Sequence, residues 1–370
     1  MRKSSPDFVV LIIVVGLVIF GMLMVFSASY YNVQVEGGDG YYFLTKQAIG
    51  AGIGLVVMII LSFVDYHILQ KGGLSFFILV LGIVLLVMVL FGESINGSKR
   101  WLDLKVVSFQ PSEIARIAMI IYTANFLSRR SVALRTDVVS EYFKISFPVI
   151  FFLILVCALI ILEPNLSMML SALAVVFCIM VASGIHTKPL ISMAGIGLLT
   201  GAAFIFAAEY RVRRLQIFLD PWKDASGDGY QLVQSLYALG SGGVKGVGLG
   251  NSLQKHLYLT FGESDFILSV IGEELGYIGV IILIAVFGYL IYRGIKISQS
   301  APDSFGLLLG TGIVSMIAIQ VIIHIAVITS SMPPTGVPLP FVSAGNTSLI
   351  IFMASVGVLL NISRQSVSVQ

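Results

Sequence analysis

Two short stretches put ionisable side chains where an apolar sequence would exclude them. The first, Gly262-Glu263-Ser264-Asp265-Phe266-Ile267, ends a long polar segment and opens a hydrophobic run. Partial loss of water at such a junction raises a carboxyl's proton affinity, and a nearby Arg or Lys lowers it. Asp265 therefore has the properties of a general base toward a hydroxyl. Position alone favours the plainer reading, an N-cap of the helix that follows. Glu273 and Glu274 lie two turns deeper, one of them on the Asp265 face, without an assigned role. The second stretch runs from Ser108 to Arg116 and reads Ser-Phe-Gln-Pro-Ser-Glu-Ile-Ala-Arg. Ser112 can cap a helix there, Glu113 suits its N-terminal dipole, and Glu113 and Arg116 share one face at a spacing that permits pairing. Such a pair either makes the helix tolerable in lipid or lines a cavity and supports a catalytic group.

Other motifs carry weaker signals. Ser241-Gly-Gly-Val-Lys-Gly-Val-Gly-Leu-Gly250 exposes many backbone N–H groups and is compatible with an anion nest, or with a tight loop needing no ligand. It fails as a dinucleotide fingerprint because the spacing is wrong and no strand–helix unit surrounds it. The segment from Ser331 to Ser348 has no charge and carries Pro333, Pro334, Pro338 and Pro340. Proline breaks the helix, and non-helical backbone at membrane depth must be buried in protein or line a cavity. It reads as a re-entrant or tightly folded outer loop shaping a lipid-accessible groove. His324 reads as a hydrogen-bonded packing residue, Cys157 and Cys178 as small packing residues, and the four histidines show no metal-site spacing.

The elements that position these residues follow from composition. Of 370 residues, 57% are hydrophobic and 11% charged, with a mean hydropathy of +0.99. A soluble domain carries roughly a quarter charged residues, so soluble enzymes, disordered chains, nucleic-acid-binding modules and disulfide-stapled domains are excluded. The expectation is an all-α polytopic membrane protein of ten transmembrane helices, at 8–30, 44–64, 74–92, 112–128, 145–162, 166–184, 189–208, 265–293, 305–331 and 347–363. Small-residue pairs such as Gly50/Gly54 and Gly197/Gly201 fit close helix packing. Basic residues in short loops place both termini in the cytoplasm. Arg2, Lys3, Lys71, Arg129, Arg130, Arg135, Lys144, Lys188, Arg293, Lys296 and Arg364 fall inside, against Lys46, Lys99, Arg100 and Lys105 outside. The chain is one membrane domain, and its segment 209–264, between spans 7 and 8, is a large structured extracytoplasmic loop contributing to the site. Within it, Gln231–Leu239 has the spacing of a surface helix.

Several motifs in this order resemble the SEDS family (shape, elongation, division and sporulation), which includes FtsW, RodA and SpoVE. They are Phe26-Ser27-Ala28-Ser29, Asn96-Gly97 with Lys99-Arg100-Trp101, and Phe109-Gln110-Pro111-Ser112-Glu113. Phe218-Leu219-Asp220-Pro221-Trp222, Gly229-Tyr230-Gln231, Asp265-Phe266-Ile267, Gly272-Glu273-Glu274-Leu275-Gly276 and Pro338-Leu339-Pro340-Phe341 follow. The resemblance covers nearly the whole chain and is FtsW-like. Departures fall in loops: Glu163-Pro164-Asn165-Leu166-Ser167 stands where Gln-Pro-Asp-Leu-Gly is common, and Thr260-Phe261-Gly262-Glu263 where Leu-Pro-Glu often precedes the aspartate.

The resemblance implies a peptidoglycan glycosyltransferase that polymerises lipid II, the undecaprenyl-pyrophosphate disaccharide-pentapeptide, outside the bacterial cytoplasmic membrane. It would serve cell division or cell shape beside a class B penicillin-binding protein and other divisome or elongasome membrane proteins. The family's essential aspartate maps onto Asp265, and its acidic–basic support onto Glu113 and Arg116. Arg100, Arg213, Arg214, Lys245 and Lys255 are the candidate cations for pyrophosphate. Trp101, Gln231 and Ser343 complete the expected substrate-binding set. No cofactor is evident; a divalent cation, Mg or Mn, bridging pyrophosphate fits the chemistry without a ligand cluster for it. The rivals are a lipid II flippase, whose decisive polar residues would sit near the bilayer midplane, and a scaffold that recruits a synthase.

Overall fold

The computed structural model describes residues 5–92, 99–103, 108–130, 138–206 and 209–366. Arg2, Lys3, Asn96, Gly97, Lys105 and Arg135 of the sequence reading lie outside them. The helices are α1 (Phe8–Val35), α2 (Tyr42–Phe63), α3 (Leu74–Leu90), α4 (Pro111–Ser128), α5 (Val139–Leu162) and α6 (Leu166–Ala182), followed by α7 (Thr187–Phe206), α8 (Glu209–Leu219), α9 (Tyr230–Ser241), α10 (Ile267–Gln299), α11 (Ser304–Ile328) and α12 (Asn346–Gln365). Short 3-10 turns occupy Tyr66–Gln70 and Pro221–Asp224. Two-residue strands β1 (Leu102–Asp103) and β2 (Ser108–Phe109) pair antiparallel just before α4.

Every stretch expected to span the membrane coincides with a helix. Among the described residues six helices, α1, α2, α5, α10, α11 and α12, are both long and apolar enough to cross. Helices α3 and α6 are apolar but shorter, at 17 residues each. Burial sorts the bundle into shells. Helices α4, α11 and α12 bury most of their residues, whereas α2, α3 and α5 turn Ile49, Ile60, Phe77, Leu81, Phe147 and Ile154 outward. An apolar exterior over an apolar core is the signature of a lipid-facing surface. Gly50 and Gly54 of α2 pack against Asn346 and Met353 of α12, as the small-residue spacing suggested; Gly197 and Gly201 of α7 face open space, so that pair does not pack.

The long polar segment is folded and spliced onto the bundle. Helix α9 buries Leu232 and Val233, and Ser235 Oγ lies 2.7 Å from Ser269 Oγ and donates to Ile328 O at 3.0 Å. Helix α10 breaks at Gly276 (φ 69°, ψ −172°), a backbone region open only to glycine. The groups released by the break find partners in the glycine-rich run. Val247 N donates to Glu273 O and Gly248 N to Glu274 O, both at 3.0 Å, while Tyr277 N donates to Gly243 O at 2.9 Å and Ile278 N to Val244 O at 3.2 Å. The contact is backbone on backbone: a Cβ on Gly276 would stand 2.3 Å from Gly246 N, and one on Gly246 would stand 2.1 Å from Glu274 O. The anion-nest reading is thereby corrected, because Val247 and Gly248 spend their N–H groups closing a broken membrane helix.

Candidate active site

Asp265 sits in a turn built by Phe261, whose φ of 60° lets its carbonyl accept from Ser264 N and Asp265 N, each at 3.1 Å. The N-cap of α10 is Phe266, without a side-chain capping bond. Asp265 therefore does not cap the helix, and its partly exposed carboxylate opens into a cavity of about 420 Å³. Arg100, Arg213, Arg214, Gln231, Thr335 and Gly336 line the same cavity. Burial pushes the Asp265 carboxyl up to about 6; Glu263 adds to the rise, and Arg100 with a hydrogen bond from Ser264 opposes it. A carboxylate tuned this way is mostly ionised at neutral pH yet basic enough to accept a proton.

The cations are held from behind. Arg100 Nε donates to Glu163 O at 3.1 Å and Nη2 to Pro164 O at 2.5 Å, fixing its guanidinium at the α5–α6 junction. Arg213 pairs with Asp228 at 2.6 Å and lies 3.6 Å from Asp224. The carboxyl of Glu163 is fully buried with neither oxygen hydrogen-bonded, and burial raises it to about 8 against the pull of Arg100. A carboxyl kept neutral behind Arg100 leaves that cation's charge available to the cavity.

Glu113 and Arg116 are buried at 2% and 1% exposure, but they form no contact ion pair. Arg116 Nη1 instead donates to Gln320 Oε1 at 2.8 Å and Ser171 Oγ at 3.0 Å, and its guanidinium lies 5.6 Å from the Phe352 ring. Glu113 takes a hydrogen bond from Ser348. Nor does Ser112 cap α4: Gln110 is the N-cap, Pro111 takes the first helical position, and the Ser112 hydroxyl is buried without a partner. The spacing that would allow the pair to close competes with polar groups from three other helices, and those win. Arg116 ties α4 to α6 and α11 and reaches Asp265 only indirectly. Gln320 Nε2 donates onward to Pro338 O at 2.9 Å, and His324 Nδ1 meets Val337 O at 2.8 Å. Both fix the proline-rich loop that carries Thr335 and Gly336.

That loop is fastened at its far end as well. Ser343 Oγ donates to Ser264 O at 2.6 Å and accepts from Leu339 N, and Ala344 N donates to Glu263 O at 2.9 Å. Gln47 of α2 donates to Ser343 O at 3.1 Å. Ser343 thus holds the Asp265 turn against the loop and does not line the cavity, contrary to its expected role as a substrate contact. Three further expectations change. Lys255 is buried in an ion pair with Glu274 at 2.8 Å, and Ser27 Oγ donates to both oxygens of that carboxylate. Lys245 is exposed on the glycine-rich run, outside the cavity lining, and Trp101 is partly buried beside β1, also outside it. Lys255 fails for a physical reason, since a buried carboxylate needs its counter-ion. Glu273 likewise clamps the loop, accepting from Ser252 Oγ and from Leu253 N at 3.0 Å. Sequence reasoning missed Glu163, Gln320, Thr335 and Gly336. A lone amide inside the apolar run of α11 was the available signal for Gln320.

A family model described as cell cycle protein, covering FtsW, RodA and SpoVE, matches residues 8–368. The chain belongs to the FtsW/RodA/SpoVE family. It is 38% identical over 366 residues to a probable peptidoglycan glycosyltransferase FtsW of Geobacter sp. (strain M18), with 98% of each chain covered. It is also 38% identical over 370 residues to stage V sporulation protein E of Bacillus subtilis (strain 168), covering 99% of each. Among solved structures, a chain from a peptidoglycan synthase complex that coordinates polymerization and crosslinking matches with a TM-score of 0.78 at 26% identity, over 97% of this chain and 98% of that one. The rod shape determining protein RodA of Thermus thermophilus matches with a TM-score of 0.71 at 25% identity, over 98% of each. Family and apolar helices together make this a multi-pass membrane protein.

Proposed function

We propose that the chain is a peptidoglycan glycan-strand polymerase that joins lipid II units by inverting glycosyl transfer at the outer face of the cytoplasmic membrane. The observation that carries this reading is a raised-affinity carboxylate, Asp265, opening into one cavity with three arginines. The fold would cross the membrane ten times, with both termini in the cytoplasm and the 209–264 segment outside. Asp265 takes the proton of the acceptor's GlcNAc 4-hydroxyl. The freed oxygen bonds to C1 of the donor's MurNAc, and the C1–O bond to pyrophosphate breaks with its electron pair passing to the phosphate. One displacement turns the α-linked donor into a β-linked product. Charge growing on the leaving group is met by Arg100, Arg213 and Arg214, set in place before the reaction.

Among the described residues no cluster of three or more His, Cys, Asp or Glu forms a metal ligand set. A divalent cation, Mg or Mn, bridging the pyrophosphate would add to the charge that the cavity arginines supply. Likeness to a chain of a peptidoglycan synthase complex supports a class B penicillin-binding protein as partner, with cell division or cell shape as the setting.

The test is purified protein given lipid II, with and without the partner. Wild type should yield glycan, and Asp265→Asn should lose polymerisation by about 100- to 10,000-fold while eluting as a folded monodisperse species. Polymerisation retained in Asp265→Asn would remove this residue from the mechanism. Translocation of labelled lipid II across liposomes without glycan would favour the flippase, and neither product would favour a scaffold.

A further inference from the structure

The cavity is lined from two chemically different parts of the chain. Arg100, Arg213 and Arg214 come from the 99–103 segment and α8, whereas Pro334, Thr335 and Gly336 come from a loop without a single charge. Where the uncharged wall passes Asp265, a Cβ on Gly336 would stand 3.0 Å from Asp265 Oδ2. A bare Cα is therefore what leaves that carboxylate oxygen approachable from the loop side. Next to it, the Thr335 hydroxyl is buried and has no hydrogen-bond partner. An unpaired buried hydroxyl is unfavourable until a ligand supplies the missing bond. The wall is also fixed relative to the base. Val337 and Pro338 hang from His324 and Gln320, and Ser343 and Ala344 are bonded to Ser264 and Glu263, the two residues immediately before Asp265.

We propose that Thr335 and Gly336 form the acceptor side of the cavity, seating the sugar whose hydroxyl loses its proton to Asp265, while the arginines take the donor's pyrophosphate. This rests on the glycosyl-transfer reading and adds to it which wall holds which substrate. Inversion places the attacking oxygen and the leaving phosphate on opposite faces of C1. The hydroxyl must lie beside the base, and the phosphates beside the cations. Thr335 donates to or accepts from a ring hydroxyl of the acceptor, and Gly336 admits the sugar edge against Asp265 Oδ2. Both are positioning residues, since the bond-making steps remain with Asp265.

The experiment separates the walls with a donor-only probe, lipid II methylated at the GlcNAc 4-oxygen, alongside ordinary lipid II. Gly336→Ala should lower turnover of lipid II by about 100-fold, because a small misplacement at the reacting atoms is enough to do so. Binding of the methylated probe should be unchanged in the same purified variant, which also shows that it is folded. Thr335→Val should raise KM for lipid II by about 10-fold with kcat little altered, and Thr335→Ser should restore it. The double variant Arg213→Ala/Arg214→Ala should show the reverse pattern, with probe binding weakened. Normal turnover in Gly336→Ala together with an unchanged KM in Thr335→Val, or loss of probe binding in either, would overturn the placement. If wild type makes glycan and these variants behave as wild type, only the wall assignment falls; if wild type makes none, the glycosyl-transfer reading falls with it.

Discussion

Replacing Gly276 by alanine tests whether the outer loop is spliced into the broken α10 through backbone alone. Gly276 has φ 69° and ψ −172°, and the added Cβ would stand 2.3 Å from Gly246 N and 2.6 Å from both Lys245 C and Val244 O. Alanine in that backbone region costs about 1–3 kcal/mol in strain alone. The collision also pushes the glycine-rich run away from the helix. At least two of the bonds at Val247, Gly248, Tyr277 and Ile278 should lengthen beyond use, at about 1 kcal/mol each. The sum is about 3–5 kcal/mol of local stability.

Native-state hydrogen exchange in detergent reads this directly, because local opening sets the exchange rate of the amides involved. A loss of about 3 kcal/mol corresponds to about 100-fold faster exchange at Val247 and Gly248, with the amides of α11 unaffected. Gly288→Ala on the same helix is the control. Nothing lies within 4 Å of a Cβ there, so the substitution should be neutral or gain up to about 1 kcal/mol. Unchanged exchange at Val247 and Gly248 in Gly276→Ala would show that the splice is not what holds the loop.

The acidity of the site gives a pH prediction. With Asp265 near 6, the ionised fraction falls from about nine-tenths at pH 7 to about one-tenth at pH 5, so kcat/KM should drop about 10-fold over that interval. Arg100 lowers Asp265, so Arg100→Gln should move the acid limb to higher pH; a limb that stays put, or a flat profile to pH 5, would detach this carboxyl from the rate. Lys255→Met should destabilise the protein by about 3–5 kcal/mol, because it strands the Glu274 carboxylate, and Glu274→Leu added to it should recover most of the loss. Thermal unfolding of the two variants in one detergent checks this, and strict additivity would refute the coupling.

The sequence made the helices readable because each is a long apolar run, and long runs have few alternatives in a membrane. The break in α10 was invisible for the same reason. One glycine among the five of α10 changes neither hydropathy nor period, and only the loop lying against it reveals why it is there. Asp265 was legible from its position between polar loop and apolar run. Its partners were legible only where they lay on the outer loops, and there charge type was not enough. Lys255 and Arg214 are both cations of the 209–264 segment. One is consumed by Glu274 and Ser27, whereas the other lines the cavity. Which of them meets a substrate is decided by tertiary pairing, here with Glu274, 19 residues away, and with Ser27, 228 residues away. Ser343 was misplaced similarly, since nothing local shows that its hydroxyl bonds Ser264 O instead of a ligand.

The polar residues of this membrane protein divide by whether their bonding is complete. Glu273, Glu274, Lys255 and Gln320 are buried and satisfied by one another, by loop backbone or by Arg116. A group in that condition gains little from a ligand and loses much if disturbed, so its contribution is shape. Asp265 and Arg100 are partly exposed, Arg213 and Arg214 are exposed, and all four line the cavity. Such groups are poor stabilisers of the empty protein and good ones of a charged transition state, because their charge is already oriented when the substrate arrives. The first set is needed for the second. The Asp265 turn, the proline-rich loop and the Arg100 segment come from distant parts of the chain, and side-chain hydrogen bonds hold the first two in register while backbone carbonyls of Glu163 and Pro164 hold the third. Removing Arg116 or Gln320 would accordingly act on the reaction through geometry, and removing Asp265 through chemistry.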